Sequence, residues 1–293
     1  MNRTTLAKWA AFCCALSLVA LQGCYEPQEG CLDVEAVNYD LQADKNNSSE
    51  CVYPELRLVL QHVYSNGDTT YRLGLADSIY YDSQGHPFRI NAIRFFLSNC
   101  HLIFADGREA EVGESIEIGI LQPDGSTLLR EIEDNFSLAS PRVSQAYTIG
   151  TLREVGEVKE LRFALGVEGL ANLALPDAFP DNHPLGLVDS SLYFNQDSGY
   201  VFQYVELFRD TVASDTIPTV LRIGTTPYLK EVRLPVAFTK TRGYHLKATL
   251  QVDYAKWFSG IDAQQDSPQA LIGKIVANQA QAFSIVDIKL EAN

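Results

Sequence analysis

From residue 55 onward, hydrophobic and polar positions alternate in short runs instead of recurring every three or four residues, the signature of strands with one buried face. Leu56, Leu58, Leu60 and His62 fall on one side of the first run, and Arg57, Val59, Gln61 and Val63 on the other. The Leu side is the core side. The same reading predicts strands over 90–104, 115–121, 158–167, 200–208, 228–236, 244–252 and 283–290. Asn66-Gly67, Asp106-Gly107, Pro123-Asp124-Gly125 and Arg242-Gly243 supply turn chemistry between them. About eight strands at this spacing predict an all-β fold, either an antiparallel β-sandwich or a partly closed barrel. Helical pattern is confined to 254–258 and 268–281, which adds one or two short helices. No period repeats along the chain, so solenoids and propellers are excluded.

The N-terminus follows a different logic. Arg3 and Lys8 form a positive start, and residues 9–21 an apolar run too short to span a bilayer, the pattern of a secretory signal. The run ends in Leu21-Gln22-Gly23-Cys24, which resembles the bacterial lipobox. Residues 1–23 are therefore expected to be removed, leaving Cys24 as the lipidated first residue. Each buried CH₂ of the acyl chains contributes roughly 0.8 kcal/mol, enough in sum to hold a protein on a membrane. The expected address is the outer membrane or cell surface, with the membrane as first partner.

Composition narrows the class. In 293 residues, 46% hydrophobic and 20% charged positions are ordinary globular values, and 37 acidic against 23 basic side chains give a net charge of -14. Nucleic acid is excluded as a general partner, because a phosphate binder carries the opposite balance. Of the 6 Cys, Cys13 and Cys14 leave with the signal and Cys24 carries the lipid, so Cys31, Cys51 and Cys100 remain. Outside the cytoplasm a Cys31–Cys51 disulfide is expected, and a loop of this size contributes about 3 kcal/mol on the chain-entropy account. Residues 30–53 resemble a small module of secreted Bacteroidetes proteins, with Val37 standing where an inner Cys is usual. Asp33, Asn38, Asp40, Asp44 and Asn46 offer the hard oxygens that calcium takes, but not at EF-hand spacing; a solvated polar turn is the other reading. Residues 24–54 thus read as a lipidated tether with a stapled module, and 55–293 as the sandwich domain.

Catalytic signatures are missing: there is no G-x-S-x-G, H-E-x-x-H, phosphate-binding Gly loop or C-x-x-C pair. The chain reads as a non-enzyme. Three ordered segments carry a family resemblance. Leu58-x-Leu60-x-His62 precedes Ile93-Arg94-Phe95-Phe96-Leu97-Ser98-Asn99-Cys100-His101-Leu102 with Asp106-Gly107; Leu161-Arg162-Phe163-Ala164-Leu165-Gly166-Val167 follows; Asn182-His183-Pro184-Leu185 then leads to Leu192-Tyr193-Phe194-Asn195-Gln196-Asp197-Ser198-Gly199-Tyr200-Val201-Phe202. This ordered set resembles the MbnP-like family over roughly Leu56 to Phe258. The resemblance implies an extracytoplasmic β-sandwich associated with copper. It also implies a di-haem cytochrome c peroxidase-like partner that converts a Trp to kynurenine.

The family's pattern is broken where the metal chemistry sits. Phe194 and Gln196 stand at the two Trp positions of its aromatic motif, and Arg222 where a later His is usual. Phe offers no ligand atom, and a guanidinium repels a cation. His62 and His183 are left as the candidate copper ligands; the competing readings are a satisfied core His and a turn residue. On strand alternation His101 goes with Asn99 and Phe95, and Cys100 packs with Phe96 and Leu102 as a small hydrophobe. His86 reads as a turn residue and His245 as part of an exposed polar face. Tyr200, Phe202 and Tyr204 share a strand face and read as core, although such rings also stack on sugars or peptides. Two functions stand: a copper-binding envelope lipoprotein with a depleted ligand set, and a non-metal surface binding protein on the same sandwich.

Overall fold

The computed structural model describes residues 25–186, 189–211 and 217–292. The expected signal sequence, residues 1–23, and Cys24 lie outside them. The chain divides into two compact units: residues 25–33 with 39–51, and residues 34–38 with 52–292. In the small unit, strand β1 (Glu29–Gly30) runs parallel to β2 (Lys45–Asn46), and Cys31 is disulfide-bonded to Cys51. So short a pair has little apolar surface to bury, and side chains fix its turns instead. Asp44 accepts from Gln28 N at 3.0 Å, Asn46 from Leu32 N at 2.9 Å and Asp40 from Gln42 N at 2.8 Å. These oxygens serve the backbone, which is the polar-turn use of such residues.

In the large unit the strands are β3 (Glu55–Asn66), β4 (Thr69–Arg72), β5 (Tyr80–Tyr81), β6 (Pro87–Phe104), β7 (Glu109–Glu111), β8 (Glu114–Leu121), β9 (Thr127–Asp134), β10 (Ser137–Ala139), β11 (Tyr147–Thr151), β12 (Gly156–Leu165), β13 (Tyr193–Asn195), β14 (Gly199–Phe208), β15 (Thr219–Gly224), β16 (Lys230–Lys240), β17 (His245–Asp253) and β18 (Phe283–Glu291). One sheet has the order β13-β14-β6-β12-β16, with β5, β7 and β10 on β6 and β15 on β14. The other has the order β11-β3-β17-β18, with β4 on β3. Both sheets are open, so the fold is an all-β sandwich and the barrel alternative falls away. Pairing is antiparallel except between β3 and β17, which run parallel with Leu246 opposite Leu56 and Val252 opposite His62. That pair corrects the purely antiparallel expectation; it joins the first long strand to one near the C-terminus, a closure no local turn can specify.

The Leu face of β3 packs toward Phe95, Leu97, Phe163 and Leu234 of the facing sheet, forming the main core. The outer face of the first sheet is also covered. Phe96, Tyr200, Phe202 and Tyr204 pack there under Ile118 and Ile120 of the β8–β9 hairpin and under Phe179, Leu185 and Leu192. Two short helices complete the unit. Tyr254–Trp257 is capped by the Asp253 carboxylate, and Pro268–Asn278 starts with Pro behind a Ser267 cap that accepts from Ala270 N.

Candidate functional site

His62 ends the inward row of β3 and is only 7% exposed. Its Nδ1 lies 2.8 Å from the Tyr254 hydroxyl, and its ring stacks on Tyr254 at 5.8 Å and meets the edge of Phe95 at 6.4 Å. Nε2 is buried and has no partner. Burial, helped by the Arg72 charge, pushes the imidazole pKa down to about 4, so the ring is neutral at physiological pH. A neutral imidazole with one nitrogen oriented by a hydroxyl and the other open has the first requirement of a metal ligand. It lacks the second: no group of three converging His, Cys, Asp or Glu donors among the described residues includes it.

His183 is held elsewhere. It packs in the outer-face core, stacked on Phe179 at 4.6 Å and set edge-on to Phe136. Nδ1 accepts from Leu185 N at 3.1 Å, which places the proton on Nε2, 2.9 Å from Asp134 Oδ1. Both nitrogens are engaged. His183 lines a cavity of about 640 Å³ with Asp134, Phe136, Tyr147 and Glu55. The structure therefore does not gather His62 and His183 into one ligand set.

The remaining candidates are held in structural roles. His101 Nε2 lies 2.5 Å from Asn99 Oδ1, while Nδ1 is 2.9 Å from Glu109 but off the line of a hydrogen bond; Arg162 pairs with the same Glu109. Cys100 is fully buried and unpaired, and burial raises its thiol pKa to about 12, which keeps it protonated and a poor metal ligand. The alternation read from sequence fails here: Asn99 takes a φ of 54°, the register to β12 shifts between Arg162 and Ala164, and Cys100 and Leu102 join Phe95 in the main core while Phe96 faces outward. His245 also departs from expectation. It is 1% exposed, accepts from Glu55 N at 3.2 Å and lies 3.3 Å from the Arg57 guanidinium, because the parallel strand β3 covers it.

Sequence reading missed one cluster. His86 Nδ1 lies 3.2 Å from Asp82 Oδ2 and 3.1 Å from Asp262 Oδ1, and these ligand atoms all fall within 4.8 Å of one another. The 176-residue separation of His86 and Asp262 hides the contact from any local pattern. Asp82 also accepts from Gln84 N, His86 N and Ala263 N, and Asp262 from Gln264 N and Gln265 N. His86 thereby clamps two Asx turns together.

Arg222 explains the altered aromatic motif. Its guanidinium donates to the carbonyl oxygens of Ser190, Ser191 and Tyr193 and lies 4.5 Å over the Phe194 ring. A cation thus sits at the place the resemblance gives to a His. The profile of the MbnP family matches residues 53–275. The chain belongs to the MbnP family. Among solved structures it is similar to MbnP from Methylosinus trichosporium, at 13% identity over 80% of this chain and 96% of that one, with a TM-score of 0.39. No curated protein sequence matches it. Within this MbnP-family chain the Ser-Gly-Tyr step of the motif has a backbone role. Gly199 takes a φ of 71° beside the Asn172 carbonyl, and Asn172 Oδ1 accepts from Tyr200 N at 2.9 Å. The motif's aromatic residues Tyr200 and Phe202 are core in this MbnP-family domain, at 0% and 1% exposure.

Proposed function

We propose that this MbnP-family protein is a lipid-anchored component of the cell envelope that works as a binding or interaction module rather than as a copper centre. One observation carries the reading. The two best imidazoles, His62 and His183, lie in different cores, and His183 has both nitrogens engaged. Phe194 and Arg222, bound to each other, replace further donors with a ring and a cation. The described residues do not make a copper centre of three or more His, Cys or carboxylate ligands around either imidazole. Purified protein from copper-supplemented cells, dialysed against a chelator, is expected to hold far less than one copper per chain, and His62→Ala to lower stability more than copper content. Stoichiometric copper that disappears in His62→Ala overturns the reading.

The open Nε2 of His62, with Nδ1 oriented by Tyr254, favours a second reading: a low-coordinate copper(I) site built on this imidazole. The same experiment decides it. A di-haem oxidant belongs only to that reading, and it would meet no tryptophan at positions 194 and 196; Trp257 is fully buried in the main core.

A further inference from the structure

At one end of the sandwich the β3–β4 hairpin, the segment around β5 and the turn after the helix Tyr254–Trp257 enclose a cleft of about 660 Å³. Its volume lies in the range of small-ligand sites. Four tyrosines build one wall. Tyr64 and Tyr71 are direct cross-strand partners, Tyr80 stacks on Tyr64 at 4.1 Å, and Tyr81 follows on β5. The inner pair is rigid, because the Tyr80 hydroxyl donates to Gly74 O at 2.9 Å and accepts from Gly74 N at 2.8 Å. The outer pair is open to solvent: Tyr71 is 58% and Tyr81 63% exposed, with Ile79 beside them at 49%. Exposed rings on a rigid support carry contact area at small entropic cost, and Ser65, Asn66, Ser78, Ser83 and Ser259 bring short hydroxyl and amide groups into the same cleft.

Charge selects within that chemistry. Arg72 lines the cleft and is exposed, and its guanidinium has no hydrogen-bond or ion-pair partner among the described residues, in a chain of net charge -14. The neighbouring acid, Asp82, does not neutralise it: that side chain is 0% exposed and its oxygens face His86 and backbone N–H groups. An open guanidinium beside flat ring faces and hydroxyls matches a ligand with a carboxylate, many hydroxyls and apolar C–H faces.

We propose that this cleft binds a short acidic oligosaccharide, with sugar rings on Tyr71 and Tyr81 and a uronic carboxylate on Arg72. The inference deepens the binding-module reading and rests on it. Purified protein is titrated calorimetrically with galacturonate, glucuronate-containing and alginate trisaccharides, and with a neutral galactose trisaccharide. At least one acid is expected to bind, and the neutral sugar not to. Tyr71→Ala and Tyr81→Ala should abolish binding, and Arg72→Gln should weaken it about tenfold or more, the value of one charge-assisted contact. Near-ultraviolet circular dichroism establishes that these exposed-site variants are folded. Equal binding of the neutral sugar, unchanged affinity in Arg72→Gln, or no binding of any acid overturns the proposal. Copper content of the same preparation separates the two failures: a copper-free protein without sugar binding rejects only the cleft, whereas stoichiometric copper rejects the reading beneath it.

Discussion

Desolvation sets the state of His62. The ordinary imidazole value of 6.5 falls to about 4 in the fold, so between these values the unfolded chain binds a proton that the native chain refuses. The sign follows: His62 supports the native state fully above pH 6.5, and that support is lost as pH falls toward 4. The window is worth up to about 3 kcal/mol. Burial shifts His101 and His245 in the same direction, so the wild-type slope is shared. Urea unfolding at pH 7 and pH 4.5 should show a smaller pH-dependent loss for His62→Gln than for wild type; equal losses would reject the assignment. The inward side of His62 was legible from Leu56, Leu58 and Leu60, but its partner Tyr254 was not, because 192 residues separate them. The faces of Cys100 and His101 were misread for a different reason. One residue with positive φ, Asn99, reverses the alternation on which the reading depended.

Among the elements, those visible in sequence are the ones that bury a regular face. The eight predicted strands all form, as β3, β6, β8, β12, β14, β16, β17 and β18, and both predicted helices form, the second ending at Asn278 before a 3-10 turn over Gln279–Ala282. β9 was not predicted because it presents little alternation: Leu128 and Leu129 are adjacent and both exposed, at 39% and 57%. The two- and three-residue strands β5, β7, β10 and β13 are too short to show any period, and exist because β6 and β14 offer them partners. The β13–β14 turn shows how one residue holds an element. Gly199 has a φ of 71°, and a Cβ there would overlap the Asn172 backbone oxygen, which cannot swing away as a side chain would. Gly199→Ala should therefore destabilise the domain by about 2 kcal/mol or more, from backbone strain and overpacking together. Thermal unfolding measures it. A melting temperature equal to wild type would show that the turn relaxes freely.

For the whole molecule, two properties bear on the membrane attachment proposed above. Its net charge is -14, so anionic headgroups offer it no long-range attraction. Among the described residues no helix is long and apolar enough to cross a bilayer. The attachment we propose is hydrophobic and terminal, through acyl chains on Cys24, where two or more chains together give stable binding and one alone gives only marginal binding. Such an anchor has a distinct signature. High salt should leave the protein on the membrane, because no ion pairing is being screened, while detergent should extract it. Radiolabelled palmitate should appear in the wild type, and Cys24→Ser should lose the label and move to the soluble fraction with its sandwich intact, since Cys24 precedes both compact units' described residues. Release of the wild type by salt, or membrane retention of an unlabelled Cys24→Ser protein, would reject the lipid anchor and transfer the task to the folded surface.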